Sequence, residues 1–138
     1  MKRIFYLLLV FSILILAACN NANTTSPVAE PSSTLVPVPS EYVGKVNPVE
    51  PATLTVGADL FNTNCSACHG PQGHGDGPAG AALDPAPKNL PELSKIAGDD
   101  YLFWRISTGR QGTAMVGWQG VLTEEQIWQI ISFIHTLK

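Results

Sequence analysis

Two cysteines and a histidine lie within five consecutive residues of this chain, as Cys65, Cys68 and His69. On a helical turn, side chains three and four residues apart project from the same face, so both thiols and the imidazole would point the same way. Two such thiols can form thioethers with the vinyl groups of a haem, and the adjacent imidazole can bind the iron. The spacing therefore predicts one covalently attached haem c, held by Cys65 and Cys68, with His69 as an axial ligand.

Two other sites could use the same residues. A thioredoxin-like dithiol also has two residues between its cysteines, but it belongs to a βαβ setting, and this sequence does not alternate strand and helix patterns. A structural zinc site needs four ligands, and only His74 and His135 are left to complete one. Haem attachment is favoured over both alternatives.

The first 18 residues have the pattern of a targeting segment. Lys2 and Arg3 precede an apolar run from Ile4 to Leu16 that only Ser12 interrupts. At 13 residues this run is shorter than the roughly 20 that a membrane-spanning helix needs. It therefore predicts a secretory signal peptide over residues 1–18.

The end of this segment, Leu16-Ala17-Ala18-Cys19, resembles the lipobox of bacterial lipoproteins. The resemblance implies cleavage before Cys19 and a diacylglycerol on its thiol. An ordinary signal peptide with a chance cysteine, or an uncleaved anchor, stays open as the alternative. Lipidation would leave no odd thiol, since the other two of the three cysteines would hold haem. It would also anchor the protein to a membrane, because two or more acyl chains hold far more firmly than one.

Residues 19–52 join this cysteine to the rest of the chain through a polar, proline-rich stretch. Six of the eleven prolines fall here, at positions 27, 31, 37, 39, 48 and 51. Such a composition buries too little apolar surface to offset the entropy of ordering the chain. The stretch is predicted to be a flexible tether, with an arm from Leu35 to Val49 that packs along the folded domain as the alternative.

Residues 53–138 show three helical patterns and no alternating run long enough for a sheet. Thr55 can cap a first helix that leads into the haem motif, and Asp99 or Asp100 can start a second. Thr123-Glu124-Glu125-Gln126 is a capping box, and the isoleucines after it recur with a helical period. The pattern predicts one small all-α domain, to which a buried macrocycle would add apolar volume.

A single methionine, Met115, remains once the signal peptide is removed, and it lies in a loop bounded by glycines. A haem that transfers electrons usually has both axial positions filled, and a neutral thioether stabilises ferrous iron. Met115 is therefore predicted to be the second axial ligand. Core packing of Met115, or ligation by His135 in its place, are the alternatives.

From about residue 56 to its end the chain resembles the class I monohaem cytochromes c, and among them the small bacterial lipoproteins. Besides the haem motif, the resemblance is carried by Gly57 to Phe61, Gly75-Asp76-Gly77, Pro87-Lys88-Asn89-Leu90, Phe103-Trp104-Arg105-Ile106 and Gly112-Thr113-Ala114-Met115 with Trp118. The chain departs from the family pattern at Val116, where many members have a proline after the ligand methionine.

This resemblance implies the cytochrome c fold, with three to four short helices wrapped around the attached haem. It implies that the first and last helices cross at Gly57, with Phe61 packed near Trp128 and Ile131. It also implies that a backbone carbonyl near Pro87 accepts a hydrogen bond from the proximal imidazole.

The same resemblance places Trp104, Arg105 and Trp118 in the haem pocket. Core packing of the two tryptophans and a solvated charge at Arg105 are the alternatives.

Two filled axial positions would leave the iron no open site for a reactant, which favours electron transfer without substrate chemistry. The predicted function is a membrane-tethered one-electron carrier, not an enzyme, on the outer face of the bacterial cytoplasmic membrane. It would carry electrons between respiratory or photosynthetic complexes, from a quinol-oxidising complex to a terminal oxidase or another acceptor. A fixed subunit of a larger oxidoreductase complex, and a ligand-binding haem enzyme or sensor, are the alternatives.

Net charge indicates which kinds of macromolecule could bind this protein. Loss of residues 1–18 removes Lys2 and Arg3, and the remaining six basic and eleven acidic side chains give a formal charge of −5. A surface with this charge does not suit nucleic acid, whose binding depends on neutralising phosphates. Weak, transient docking to redox proteins through an apolar patch is expected instead.

Overall fold

The computed structural model describes residues 35–49 and 54–138, and this part of the chain is helical. Its elements are α1 (Leu54–Asn64), α2 (Ser66–His69), α3 (Leu90–Ser94), α4 (Asp99–Thr108) and α5 (Glu124–Ile134). These residues form no strand beyond an isolated bridge between Gln119 and Leu122, so the predicted all-α class is confirmed. None of these helices combines the length and the apolar character needed to cross a membrane.

The predicted signal peptide (residues 1–18), the lipidation site Cys19 and the predicted tether up to residue 34 lie outside the described residues. The same is true of residues 50–53. These assignments therefore stay predictions.

Helices α1 and α5 pack directly against each other, as the family resemblance implies. They approach so closely at Gly57 that a Cβ atom there would lie 2.1 Å from the Gln129 carbonyl oxygen. One turn further on, Phe61 is fully buried, and its ring centroid lies 5.3 Å from that of Phe133. Phe61 shares one hydrophobic core with Trp128 and Ile131. This crossing fixes the end of α1, from which the haem motif continues.

Helix α5 begins at the predicted capping box. The Thr123 hydroxyl accepts a hydrogen bond from the Gln126 amide at 3.2 Å, and the Gln126 side chain accepts one from the Thr123 amide at 2.9 Å. Its apolar positions recur every three to four residues, so one continuous stripe is buried. That stripe consists of Ile127, Trp128, Ile130, Ile131 and Ile134.

One of the two predicted helix starts is displaced, whereas α4 begins at Asp99, as predicted. Helix α1 begins at Leu54, so Thr55 lies in its first turn and does not cap it. Helix α4 is capped by Gly98, while Asp99 and Asp100 occupy the first turn, where carboxylates favour the positive helix end. The side chains of Asp99 and Asp100 also accept hydrogen bonds from another segment of the chain.

That segment is the arm, residues 35–49, which lies against the helices. Leu35, Tyr42 and Val49 pack on the hydrophobic core. The Gly44 and Asn47 amides each donate a 3.0 Å hydrogen bond to Asp100 and Asp99, respectively. The side chain of Asn47 donates to the Trp128 carbonyl at 3.1 Å and to the Ser132 hydroxyl at 2.9 Å.

This packing is the alternative that the sequence left open for residues 35–49 within the predicted tether of residues 19–52. The contacts explain why these residues pack on the domain. The arm contributes apolar side chains and unpaired amides, and the domain supplies a core edge and carboxylate acceptors for them.

The short helix α3 was not predicted from the sequence. Its N-cap is Asn89, whose side chain accepts a hydrogen bond from the Glu92 amide at 3.0 Å, and Pro91 lies in its first turn. An asparagine cap followed by proline is a recognisable start signal. The five-residue helix is too short to show a helical period.

The contact at Gly57 yields a stability prediction. Gly57→Ala is expected to lower the free energy of unfolding by about 1–3 kcal/mol, because the added methyl overlaps a backbone carbonyl that cannot move alone. Chemical denaturation followed by circular dichroism measures the change. Val56→Ala is the matched control, since Val56 is 47% exposed on the same helix and should shift stability by less than about 0.5 kcal/mol. Equal stability of the two variants would contradict the close crossing.

Candidate haem-binding site

The turn that carries Cys65, Cys68 and His69 continues from α1 almost without interruption. The Cys65 amide donates to the Phe61 carbonyl at 2.8 Å, and the His69 amide donates to the Cys65 carbonyl at 2.9 Å. Helical hydrogen bonding thus runs through the motif and places residues 65, 68 and 69 within one turn. Both cysteines are free thiols and are partly buried.

Burial sets the protonation of the first thiol. It raises the pKa of Cys65 to about 12, and the neighbouring Cys68 adds to the rise. Cys65 is also one of the side chains packed against the hydrophobic core. Until haem is attached, Cys65 is therefore a neutral thiol at physiological pH, in apolar surroundings that suit the edge of a macrocycle.

A glycine-rich loop, residues 70–80, wraps around this turn. The amides of Gly75, Gly77 and Ala79 donate to the carbonyls of His69, Cys68 and Ala67 at 2.8, 3.1 and 2.8 Å, respectively. These are carbonyls that the end of α2 would otherwise leave unpaired. A Cβ atom on Gly77 would lie 2.4 Å from the Ala67 oxygen, so the loop passes too close for any side chain there.

The imidazole of His69 is oriented by a backbone carbonyl, as the resemblance implies. Its Nδ1 lies 3.1 Å from the oxygen of Lys88, the residue after Pro87. A carbonyl only accepts hydrogen bonds, so Nδ1 carries the proton and Nε2 keeps its lone pair in the neutral ring. Burial lowers the pKa of His69, although the bond to Lys88 opposes this, and the neutral form is the one that binds a metal.

The loop that carries Met115 is held by hydrogen bonds among its own residues. The Arg110 amide donates to the Met115 carbonyl at 2.9 Å. The Thr113 hydroxyl donates to the Arg110 carbonyl at 2.7 Å and accepts from the Met115 amide at 3.2 Å. No role was predicted for Thr113, although a threonine hydroxyl in a turn commonly bonds to the backbone two residues further on.

Gly109, with φ of 72°, lets this loop approach the end of α4. A Cβ atom there would lie 2.5 Å from the Met115 oxygen. This close contact holds the backbone at Met115 against the end of α4.

Met115 lines a cavity of about 670 Å³ together with Trp104, Arg105, Arg110 and Gly109. The Arg105 guanidinium carbon lies 3.8 Å from the centre of the Trp104 ring and 5.4 Å from that of Tyr101. Arg105 Nε also donates to the Tyr101 hydroxyl at 3.4 Å. The aromatic rings thus hold Arg105 against the helix and give the cavity one apolar wall with a positive edge.

The structure assembles the predicted site residues in two groups. Cys65, Cys68 and His69 share the helical turn, whereas Met115, Trp104 and Arg105 share the cavity. Trp118 packs against the hydrophobic core, and its amide donates to the Ile106 carbonyl at 2.9 Å.

The two remaining histidines have other surroundings. His135 Nε2 forms a 2.8 Å contact with Asp99 Oδ1, and His74 is exposed in the glycine-rich loop.

These features fit a covalently bound haem. The turn offers two unpaired thiols and an imidazole. Because Nδ1 of this imidazole carries the proton, Nε2 keeps the lone pair that can bind a metal. The Met115 cavity falls in the range of roughly 300–1,000 Å³ that small-molecule and cofactor pockets occupy. A helical domain with this donor set is that of a c-type cytochrome.

Comparison with known proteins identifies the family. The family described as "Cytochrome C oxidase, cbb3-type, subunit III" matches residues 52–134, more than half of the chain. This protein therefore belongs to that cytochrome c family. It is an electron-transport protein that carries covalently bound haem c, as the sequence predicted.

One relative matches part of the chain. The "Cbb3-type cytochrome c oxidase subunit FixPc" of Rhizobium leguminosarum bv. viciae is 27% identical over 95 residues, which cover 65% of this chain and 30% of that protein. This chain thus spans less than a third of the relative that it matches.

The solved "Kuenenia stuttgartiensis reducing HAO-like protein complex Kustc0457/Kustc0458" has a similar fold. The TM-score is 0.56, the identity is 24%, and the match covers 66% of this chain and 47% of that one.

The packing of the glycine-rich loop can be tested directly. Gly77→Ala is expected to lower stability by about 1–3 kcal/mol and to reduce haem incorporation, because the methyl would push the loop off the carbonyls of the motif turn. Thermal unfolding and the haem content per polypeptide measure both effects. Ala79→Ser, at an exposed position of the same loop, should change neither. Normal haem content and stability in Gly77→Ala would argue against this packing.

Proposed function

We propose that this protein is a membrane-tethered one-electron carrier whose haem is bound to Cys65 and Cys68 and ligated by His69 and Met115. The proposal rests first on the construction of the Met115 loop. Glycine contacts and the Thr113 hydroxyl hold that loop in place, and its methionine lines a cavity large enough for a cofactor edge. A gap-filling core methionine would need none of these restraints.

His69 contributes the opposite ligand. Its hydrogen bond to Lys88 fixes the ring plane and raises the basicity of Nε2, which strengthens a metal bond on that side. The bound haem supplies a reversible one-electron change at iron. His69 and Met115 would both ligate the iron, which would then have no position open to a reactant.

The positive charges at the Met115 cavity suit the carboxylates that a haem carries. The Arg105 guanidinium packs on the Tyr101 and Trp104 rings, and Arg110, whose backbone is held by the loop hydrogen bonds, also lines the cavity. A guanidinium beside the cavity stabilises negative charge there, since buried carboxylates need a partner. Trp104 and Arg105 are therefore assigned to the haem pocket, and Trp118 to its supporting core.

The tether follows from the sequence. Residues 1–18 are assigned as a lipoprotein signal peptide, Cys19 as the lipidated residue and residues 53–138 as the cytochrome domain. Within the predicted tether, residues 35–49 form the arm that packs on the domain. The carrier would work on the outer face of the cytoplasmic membrane, between a quinol-oxidising complex and a terminal oxidase or another acceptor.

A second candidate function is a fixed subunit of a membrane oxidase complex. It is favoured by the cbb3-type family match and by the oxidase subunit among the relatives. Extraction in mild detergent followed by size separation distinguishes the two functions. A free carrier runs alone, and a fixed subunit elutes with its complex.

Removal of the Met115 thioether tests the ligand set. In Met115→Ala, the weak near-infrared sulfur-to-iron band of the oxidised protein is expected to disappear, and the reduced protein should bind carbon monoxide readily. The wild-type protein should show the band and resist carbon monoxide, because both axial positions are filled. Val116→Ala, at the next and exposed residue, is the control and should behave as wild type. A Met115→Ala protein that keeps the band would place the ligand elsewhere.

Removal of the Cys19 thiol tests the anchor. Cys19→Ser is expected to move the haem protein from the membrane fraction to the soluble fraction, because the acyl chains supply most of the membrane affinity. Asn20→Ser is the control and should remain in the membrane fraction. Fractionation followed by haem staining measures the distribution, and membrane retention of a Cys19→Ser protein from which residues 1–18 have been cleaved would refute lipid anchoring at this residue.

A further inference from the structure

Asn47 joins the arm to two helices at once. Its backbone amide donates to Asp99 Oδ2 at 3.0 Å, in the first turn of α4. Its side-chain amide donates to the Trp128 carbonyl at 3.1 Å and to the Ser132 hydroxyl at 2.9 Å, both on α5. The side-chain oxygen accepts from the Val49 amide at 2.9 Å. These bonds are partly buried, where a hydrogen bond is stronger than in water, so Asn47 is a firm point of attachment for the arm.

Aromatic packing continues this contact along α4. The ring centroids of Tyr42, on the arm, and Phe103, in the middle of α4, lie 6.2 Å apart. The Lys45 ammonium lies 5.2 Å from the centre of the Phe103 ring, and the same ring stacks on Trp128 at 4.2 Å. The arm therefore packs against the middle of α4 as well as against its first turn.

The other end of α4 holds the Met115 loop, residues 109–119. The Trp118 amide donates to the Ile106 carbonyl at 2.9 Å. The Gln119 amide donates to the Ser107 carbonyl at 3.0 Å. The end of the loop is thus hydrogen-bonded to the last turn of α4, and the loop keeps its shape only while that turn stays in place.

The arm and the Met115 loop also meet across a small cavity of about 230 Å³. Tyr42 and Lys45 line it from the arm, and Gln119 lines it from the end of the loop. Ser107 lines it from α4. Departure of the arm would open this cavity to water next to the bond between Gln119 and Ser107. Backbone hydrogen bonds that water can reach belong to the parts of a protein that open most often.

We propose that the arm is a positioning element for Met115 and that Asn47 is the positioning residue that fastens it. The arm holds the start and the middle of α4, and the end of α4 holds the Met115 loop. Loss of the arm contacts lets the loop open more often, and Met115 then leaves its ligating position more often. The inference rests on the proposed function for the identity of the iron ligand, whereas the coupling between the arm and the loop does not.

Amide hydrogen exchange of the full-length, haem-loaded, reduced protein tests this coupling. In Asn47→Ala, the Trp118 and Gln119 amides are expected to exchange about fivefold faster than in wild type, at the lower end of couplings between two sites. Ile131→Val is the control for lost stability, because it trims a fully buried side chain and removes none of the hydrogen bonds of the arm. The two loop amides should exchange more slowly in Ile131→Val than in Asn47→Ala.

Carbon monoxide binding to the reduced protein reports on Met115 itself. The binding rate should also rise about fivefold in Asn47→Ala, because carbon monoxide enters only while Met115 is away from the iron. Val46→Ala is the matched control on the arm, since Val46 is 75% exposed, and its rate should equal that of wild type. A purely structural role of Asn47 would lower the unfolding temperature and leave this rate unchanged.

Two results would overturn the inference. In the first, the loop amides of Asn47→Ala exchange no faster than those of Ile131→Val. In the second, those amides exchange faster but carbon monoxide binds at the wild-type rate, so that the loop opens without releasing Met115. A wild-type protein without the near-infrared sulfur-to-iron band would instead refute Met115 as the ligand, and hydrogen exchange would still decide whether the arm holds the loop.

Discussion

The hydrogen bond between His69 and the Lys88 carbonyl joins the parts of this domain that must act together. It ties the helical turn with both thiols to the chain that enters α3, across the glycine-rich loop. Without it, the His69 ring could turn about its own bonds and Nε2 would have no fixed direction. Two further features hold the turn in position. The glycine-rich loop is hydrogen-bonded to its carbonyls, and the α1–α5 crossing at Gly57 fixes the helix that leads into it. A domain this small depends on such local restraints more than on the size of its core.

Much of the site could be predicted because its residues are close in sequence. Cys65, Cys68 and His69 lie within one turn, and helical geometry alone places them on a common face. The capping box at Thr123 was equally local, and the structure confirms it. The Lys88 carbonyl came from the family resemblance, since no sequence pattern shows which backbone oxygen meets a ring 19 residues away.

The parts that were missed depend on contacts between distant segments. The arm has the composition of a tether, yet Asn47 reaches Trp128 and Ser132, more than 80 residues away, and Asp99 and Asp100 accept from its amides. Composition reports the tendency of a segment to order itself, and it does not report which acceptors another segment offers.

We infer that one haem is bonded to the sulfurs of Cys65 and Cys68. Mass spectrometry of a tryptic digest tests it most directly, because cleavage after Lys45 and after Lys88 places both cysteines in one peptide. The structure predicts that this peptide carries the mass of one haem and that neither cysteine reacts with an alkylating reagent. A peptide without haem in which both cysteines are alkylated would contradict the account.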